Sequence, residues 1–473
     1  MTTPISSAHA SRFLWGLAGI LLTSGAFATG RCWHDAPLSR DRVAAAPRLA
    51  RGGFAPFQTP VRATHKKNNP LQSETRLRAA VATFSQVRNL VRDEYVDPLP
   101  SDTALSHGAA KAMLDALGDN QSRFLSPAER AVCEREGAGF FAGIGCVTAV
   151  RAVKTGAGYT EQQLCVVAPL AGSAAQKAGL RTGDRITHID DEYILPAAPY
   201  LPPGKAAIAD APAGGGTVRR GIGLWAARMR LREGTTGILK LTVARRGEKE
   251  PRRFMVANTA GTLAAPQVRV QTVASGRTLI LKMSGFFGGG IGDVADALRS
   301  VPDAASVVLD LRQNPGFGSF DTARRIAGLL APSHRVFAVE IGASGRTPLP
   351  LPQTPPARAT RPVAVLTDGG TAGLAEVLAA YLRDNGAFLV GSSTWGDGSS
   401  QTLYPLPDGS GFSLTTGRLV SPRGMGWNGT GLVPRFVLPK GLTEAEIVTR
   451  AAGIARASRG VVAHGRRSPE ARP

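Results

Sequence analysis

The segment Thr367-Asp-Gly-Gly-Thr-Ala-Gly-Leu-Ala-Glu376 follows an apolar run, Val363 to Leu366, and opens a helix-patterned stretch that continues to Arg383. A buried strand that turns sharply through glycines into a helix is how many α/β enzymes present a nucleophile at the end of a sheet. Further along, Thr394-Trp-Gly-Asp-Gly-Ser-Ser-Gln401 makes a second glycine-rich turn, and upstream Leu309-Asp-Leu-Arg-Gln-Asn-Pro-Gly316 makes another. Between residues 278 and 440 strand and helix patterns alternate across such turns, with Leu279–Met283 and Ser306–Leu311 the clearest buried strands. That alternation predicts a layered α/β core.

The chain has 473 residues, 43% hydrophobic and 19% charged, enough for two or three globular domains. Its formal charge of +21 comes mostly from arginine. Before residue 70 the acids Asp35 and Asp41 face nine Lys or Arg, and the far end carries Gly465-Arg-Arg467. Such flanks suit solubility or attraction to an anionic membrane or wall surface. Nucleic acid is not an expected partner, because no stretch interleaves basic residues with stacking aromatics. The four cysteines (Cys32, Cys133, Cys146, Cys165) lack metal or redox spacing. Cys146 and Cys165 could face each other across a hairpin, although buried thiols suit them better. No metal or other cofactor is expected. Gly288-Gly-Gly-Ile-Gly292 lacks the lysine of a phosphate loop.

In chain order, an apolar run from Phe13 to Phe27 after Arg12, closed by Ala26-Phe-Ala28, reads as a signal peptide over 1–28. A membrane anchor and a plastid transit peptide are the alternatives. Residues 29–72 read as a linker. Helical spacing begins near Glu74, where Val81, Phe84, Val87, Leu90 and Val91 share one face. A second helix runs from Asp102 to Leu117, and the N-terminal helical segment extends over 73–137. From 164 to 194 the order strand, short helix closed by Gly179, turn and strand resembles the middle of a PDZ domain. That domain is expected over 138–260, with a Pro/Gly/Ala-rich insertion at 196–220. The α/β core follows over 261–440, then a basic C-terminal tail over 441–473.

Arg123-Phe-Leu, Phe140-Phe-Ala-Gly-Ile-Gly145, Gly179-Leu-Arg-Thr-Gly-Asp184, the three turns above and Gly431-Leu-Val-Pro-Arg435 occur together in one order. That set resembles the carboxyl-terminal processing peptidases (tail-specific proteases) over about residues 80–440. The resemblance implies an α/β peptidase core with an inserted PDZ-like β domain and N-terminal helices. It also implies a serine nucleophile, a lysine base and a glutamine that orients the lysine. Here the serine position is Gly373 and the lysine position is Asp397, while Gln401 matches the glutamine. No lysine occurs from Met283 to Pro439. Thr371, Ser399 and Ser400 are the nearest hydroxyls, and a carboxylate with an ordinary pKa near 4 is a weak base at pH 7. By the same resemblance, Gly316 and the Leu374 amide occupy the oxyanion-hole positions, and Phe317 stands where a glycine would keep that hole open. Gly143, Ile144 and Gly145 match the PDZ loop that takes a terminal carboxylate on backbone amides while the peptide adds as a strand.

The expectation is therefore an exported, non-catalytic homologue that binds protein C-termini through its PDZ domain, or binds an active peptidase paralogue. The alternative is an active serine-type endopeptidase with a non-standard dyad that trims C-terminal tails. Periplasmic or cell-envelope placement is expected, with the plastid lumen as alternative.

Overall fold

The computed structural model describes residues 70–464, except 120, 155–159, 196–220, 236, 264–268, 274–277, 288, 303, 332–334 and 353–360. The stretch read as a signal peptide, most of the expected linker, Cys32, the expected 196–220 insertion and the residues after 464 lie outside the described residues.

Two helices lead the chain, α1 (Pro70–Glu94) and α2 (Asp102–Asp115). After β1 (Arg123–Leu125) comes α3 (Pro127–Gly137). Ser126 and Glu129 close a capping box at the start of α3, with Pro127 in its first turn, which satisfies the free amides there.

A β-rich unit follows: β2 (Phe141–Gly143), β3 (Cys146–Lys154), β4 (Thr160–Pro169), α4 (Ala174–Ala178), β5 (Arg185–Ile189), β6 (Glu192–Leu195), β7 (Ile222–Gly223), α5 (Leu224–Arg230), β8 (Gly237–Ala244) and β9 (Arg252–Leu263). Its main sheet has the order β2-β9-β8-β5-β4-β3, which leaves β3 at an edge. Helix α4 starts on Ser173 and, as its sequence predicts, stops on Gly179, which lies in the left-handed region (φ 89°). Cys146 and Cys165 are buried free thiols; the β3–β4 register pairs them with Pro169 and Ala149 instead of each other, so no bridge forms.

The remaining elements build the core: β10 (Arg269–Val273), β11 (Thr278–Lys282), α6 (Gly290–Ser300), β12 (Ser306–Asp310), α7 (Phe320–Leu330), β13 (Val336–Gly342), β14 (Gly345–Pro350), β15 (Val363–Thr367), α8 (Leu374–Asp384), β16 (Phe388–Gly391), β17 (Ser399–Pro405), β18 (Gly411–Val420), β19 (Phe436–Val437) and α9 (Glu444–His464). The central sheet has the order β10-β11-β12-β15-β16-β19, parallel except for β10. Side chains alternate between its faces. Leu279, Leu281, Val307, Leu309, Val363 and Val365 pack under α6, α7 and α8, while Ile280, Val308, Ala364 and Leu366 pack under α9. A sheet covered on both sides needs strands apolar at every position, which is why these runs do not alternate in hydrophobicity.

The 441–473 segment is thus not simply a basic tail. Ala451, Ala452 and Ala455 are buried against the sheet, and Arg312 ties Glu444 at 2.6 and 3.0 Å. An alanine stripe carries a weak apolar signal, so only the facing strands reveal this helix as core. A second sheet, with β18 between β1, β13 and β17 and with β14 beyond β13, flanks the centre.

Candidate active site

The turns after β12, β15 and β16 leave the carboxyl ends of neighbouring parallel strands, where α/β folds gather ligand-binding loops. That topology brings 311–316, 368–373 and 392–398 together. Gly373 lies between β15 and α8 at φ 52°, ψ −122°, a conformation glycine adopts freely and other residues resist. A Cβ there would stand 3.5 Å from the Pro315 carbonyl oxygen and 3.8 Å from Asp397 Oδ2, ordinary contact distances. The position has room for the side chain it lacks.

Glu376, which the sequence marks only as the start of a helix, is the hub of the site and fully buried. Its Oε2 accepts from the amides of Asp397 (2.7 Å) and Gly373 (3.2 Å). Its Oε1 accepts from the Gly396 amide (2.7 Å) and the Thr394 hydroxyl. One carboxyl group thereby fastens the second turn to the third. Burial pushes its pKa up to about 8 and the nearby Asp397 adds to this, while its donors pull the other way.

Asp397 is 1% exposed. Its Oδ1 accepts from the Ser399 amide (3.3 Å) and hydroxyl (2.8 Å). Its Oδ2 is buried, with no hydrogen-bond partner among the described residues, and it faces the open space at Gly373. Burial pushes this carboxyl up to about 7, against the Ser399 donors and the positive Arg418 on the neighbouring strand β18. Gln401 does not touch Asp397. Its amide nitrogen donates to Gln121 Oε1 (2.5 Å) and Thr415 Oγ1 (2.6 Å), and it reaches Asp397 only through Gln121 and Ser399. A register shift between Ser400 and Gln401 accompanies this. Gln121 stands in the loop before β1, and nothing local in its sequence marks it; the strand pairing of β1 with β18 brings it in.

No lysine amine joins these groups, and the hydroxyl that meets Asp397 is that of Ser399. Lys282 lies 3.8 Å from Asp310 and 3.9 Å from Glu444 on the α9 side. Thr371 spends its hydroxyl on the Leu311 carbonyl (2.8 Å) and accepts from the Asp368 amide (3.0 Å), so it serves the turn.

The two positions expected to form an oxyanion hole differ. Leu374, in the first turn of α8, has an amide with no acceptor in its helix and no backbone acceptor elsewhere among the described residues. The Gly316 amide instead donates to Asn314 Oδ1 at 2.9 Å, because the side chain two residues back closes on it. Gly316 must still be glycine: a Cβ would fall 2.5 Å from the Leu374 nitrogen. Phe317 packs its ring on Phe141 (4.8 Å between centroids). Ala372 and Trp395 join the same apolar layer with Val147, Val167 and Leu170, which places the β-rich unit against both turns.

The Gly143–Gly145 loop also departs from expectation. Both glycines have positive φ (77° and 67°), yet Ile144 is buried and its amide donates to the Leu231 carbonyl at 3.0 Å. The end of α5 therefore occupies one of the three expected donors. The Gly145 amide has no backbone acceptor among the described residues. The adjacent cleft is lined by Phe141, Thr148, Leu170, Arg228, Arg232 and Phe317, where Thr148 Oγ1 and Arg228 Nε are buried without hydrogen-bond partners among the described residues.

Comparison with known proteins identifies the fold. The profile of peptidase family S41 matches residues 277–438. A carboxyl-terminal-processing protease of Synechocystis sp. is 27% identical over 369 residues, covering 77% of this chain and 78% of that one. The chloroplastic C-terminal processing peptidase of Tetradesmus obliquus is 28% identical, covering 77% and 75%. Among solved structures, a photosystem II D1 C-terminal processing protease has the same fold, with a TM-score of 0.57 and 24% identity over 78% of this chain and 91% of that one.

Proposed function

Because the chain belongs to the carboxyl-terminal processing peptidase family, we propose that it is a member without serine–lysine chemistry that binds the C-terminal segments of other proteins. The observation that carries this reading is the pair Gly373 and Asp397: the first lacks a hydroxyl, and the second is a buried acid where the family's base would be an amine. A lysine base works by being neutral and accepting a proton from serine. Asp397 has an oxygen to accept that proton but no hydroxyl at position 373 to supply one. The engagement of Thr371 in its own turn speaks against a substitute nucleophile.

The β-rich unit is read as a PDZ-like domain. A peptide would add along the open edge of β3, its carboxylate meeting the Gly145 amide and the unpartnered polar groups of Arg228 and Thr148. An active peptidase paralogue is a second partner of the same kind. An exported or chloroplast location suits relatives named chloroplastic.

Purified protein is expected to bind peptides with unstructured apolar C-termini and to leave them intact. Amidation of the terminal carboxylate should cost about tenfold in affinity or more, since a hydrogen bond to a charged group contributes about 1.5–3 kcal/mol. Cleavage that is lost in Thr371→Ala would establish the competing enzyme reading. Equal affinity for acid and amide would refute carboxylate recognition alone.

A further inference from the structure

The central sheet ends at β19, which pairs with β16, and no described strand pairs with its other side. The Leu438 amide donates inward to the Gly391 carbonyl at 3.1 Å. In an extended strand the residue before it turns its amide and carbonyl the other way, so Val437 presents both at the edge. The Val437 side chain is 71% exposed. Between this strand and α9 runs an open groove of about 520 Å³, lined by Arg435, Phe436, Val437, Arg450, Gly453 and Ile454. Its floor is apolar, and no acid among the described residues lines it. Both arginines are exposed, and neither forms an ion pair among the described residues. Glu446, one turn before Arg450, accepts from the Thr443 amide and hydroxyl instead.

We propose that this groove takes an extended acidic segment of another protein, which adds as a strand to β19 and sets carboxylates on Arg435 and Arg450. The surface is separate from the Gly373 site and from the β3 edge, and it does not depend on how either is read. Arg435 is held in place by aromatic rings. Its guanidinium lies 4.8 Å from the Phe388 ring centroid and 5.7 Å from that of Phe436, and the two rings pack edge to face. A guanidinium stacked in this way keeps its N–H rim free for a carboxylate. On α9, Arg450, Gly453 and Ile454 share one face through their spacing of three and four. Charge selects the occupant. The chain's own far end carries Gly465-Arg-Arg467 and would be repelled. A second copy meeting edge to edge would set the same arginines against each other. An acyl chain would leave the Val437 amide and carbonyl unpaired, whereas a peptide strand pairs both.

Fluorescence anisotropy on the full chain tests this, with a short peptide that alternates Glu and Val and is acetylated and amidated at its ends. The blocked ends keep the probe from engaging the β-rich unit through a terminal carboxylate. It should bind, and more weakly as salt rises. Arg435→Ala combined with Arg450→Ala should weaken it about tenfold, because charge-assisted hydrogen bonds are lost. Gly453→Trp should fill the groove and block the peptide at an unchanged melting temperature, since a Cβ at Gly453 meets nothing within 4 Å. A peptide with Lys in place of Glu should not bind. Neither variant should alter the binding of peptides with free apolar C-termini, so failure here is separable from failure of the PDZ-like reading. Absence of binding at millimolar peptide overturns the proposal, as does binding that survives both variants or equal binding of the Lys peptide. Anionic vesicles that bind through the two arginines while the peptide does not would overturn it in favour of a membrane surface. Self-association lost in Gly453→Trp, without peptide binding, would overturn it in favour of a second copy. Equal affinity for a peptide methylated at alternate backbone nitrogens, in either register, would refute strand addition.

Discussion

Burial keeps the carboxyl groups of Glu376 and Asp397 protonated to higher pH than in an unfolded chain, up to about 8 and about 7 respectively. Between the unfolded value near 4 and these native values the folded state holds more protons. Stability from this pair is therefore complete below about pH 4 and is lost as pH rises through 7 to 8. A tenfold difference in proton affinity between the folded and unfolded chain corresponds to about 1.4 kcal/mol, large enough to read in urea unfolding. Asp397→Asn should flatten the decline of urea-unfolding stability between about pH 4 and 7, and above pH 7 it should exceed the parent; an unchanged slope would mean that Asp397 is ionised at no cost. At Gly373 the room for a Cβ and the unsuitable backbone act against each other. Gly373→Ser combined with Asp397→Lys should fold, with a loss of about 1–2 kcal/mol for an L-residue at positive φ. It should still show no turnover on a fluorogenic peptide, because the Gly316 amide is tied to Asn314 and Phe317 crowds the approach. Recovery in that double variant, without Phe317→Gly, would show the oxyanion hole is intact.

At the scale of elements, α9 decides whether one face of the central sheet is covered. Removing residues 441–473 would expose Ile280, Val308, Ala364, Leu366 and Val390, and would release Arg312 from Glu444. Burying a side chain of that size contributes about 1.5–3 kcal/mol, so the truncated chain should be insoluble or unfolded, as solubility and circular dichroism would show. A folded truncation with native melting behaviour would mean that α9 is a dispensable appendage. Helix α8 presents the opposite case, since its N-terminus is set by Glu376 reaching back to the Gly373 amide. That contact is local, spanning three residues as in a capping box. The donors that converge on Glu376 from the third turn were not readable in the sequence, because they arrive from residues eighteen and more positions away.

For the molecule as a whole, the β-rich unit and the α/β core share the apolar layer of Phe141, Val147, Leu170, Ala372, Trp395 and Phe317. Leu170→Asp should open this layer and raise hydrogen exchange in the 371–374 and 394–398 turns while the central strands stay protected. Equal protection in the variant would mean that the layer does not shield the site. The amino-acid sequence alone determined the order of elements, the α/β core and the identity of Gly373 and Asp397, because periodicity and residue type are local properties. The family resemblance implied that the three glycine turns share one site, and the structure gives the reason: adjacent parallel strands leave their loops at the same end. Only the tertiary structure decided that Asn314 closes on Gly316, that Leu231 takes the Ile144 amide, that Gln121 stands between Gln401 and Asp397, and that an alanine-rich helix completes the core. Hydrogen-bond partners and burial depend on which distant segments meet, and a pattern along one stretch of chain carries no record of that.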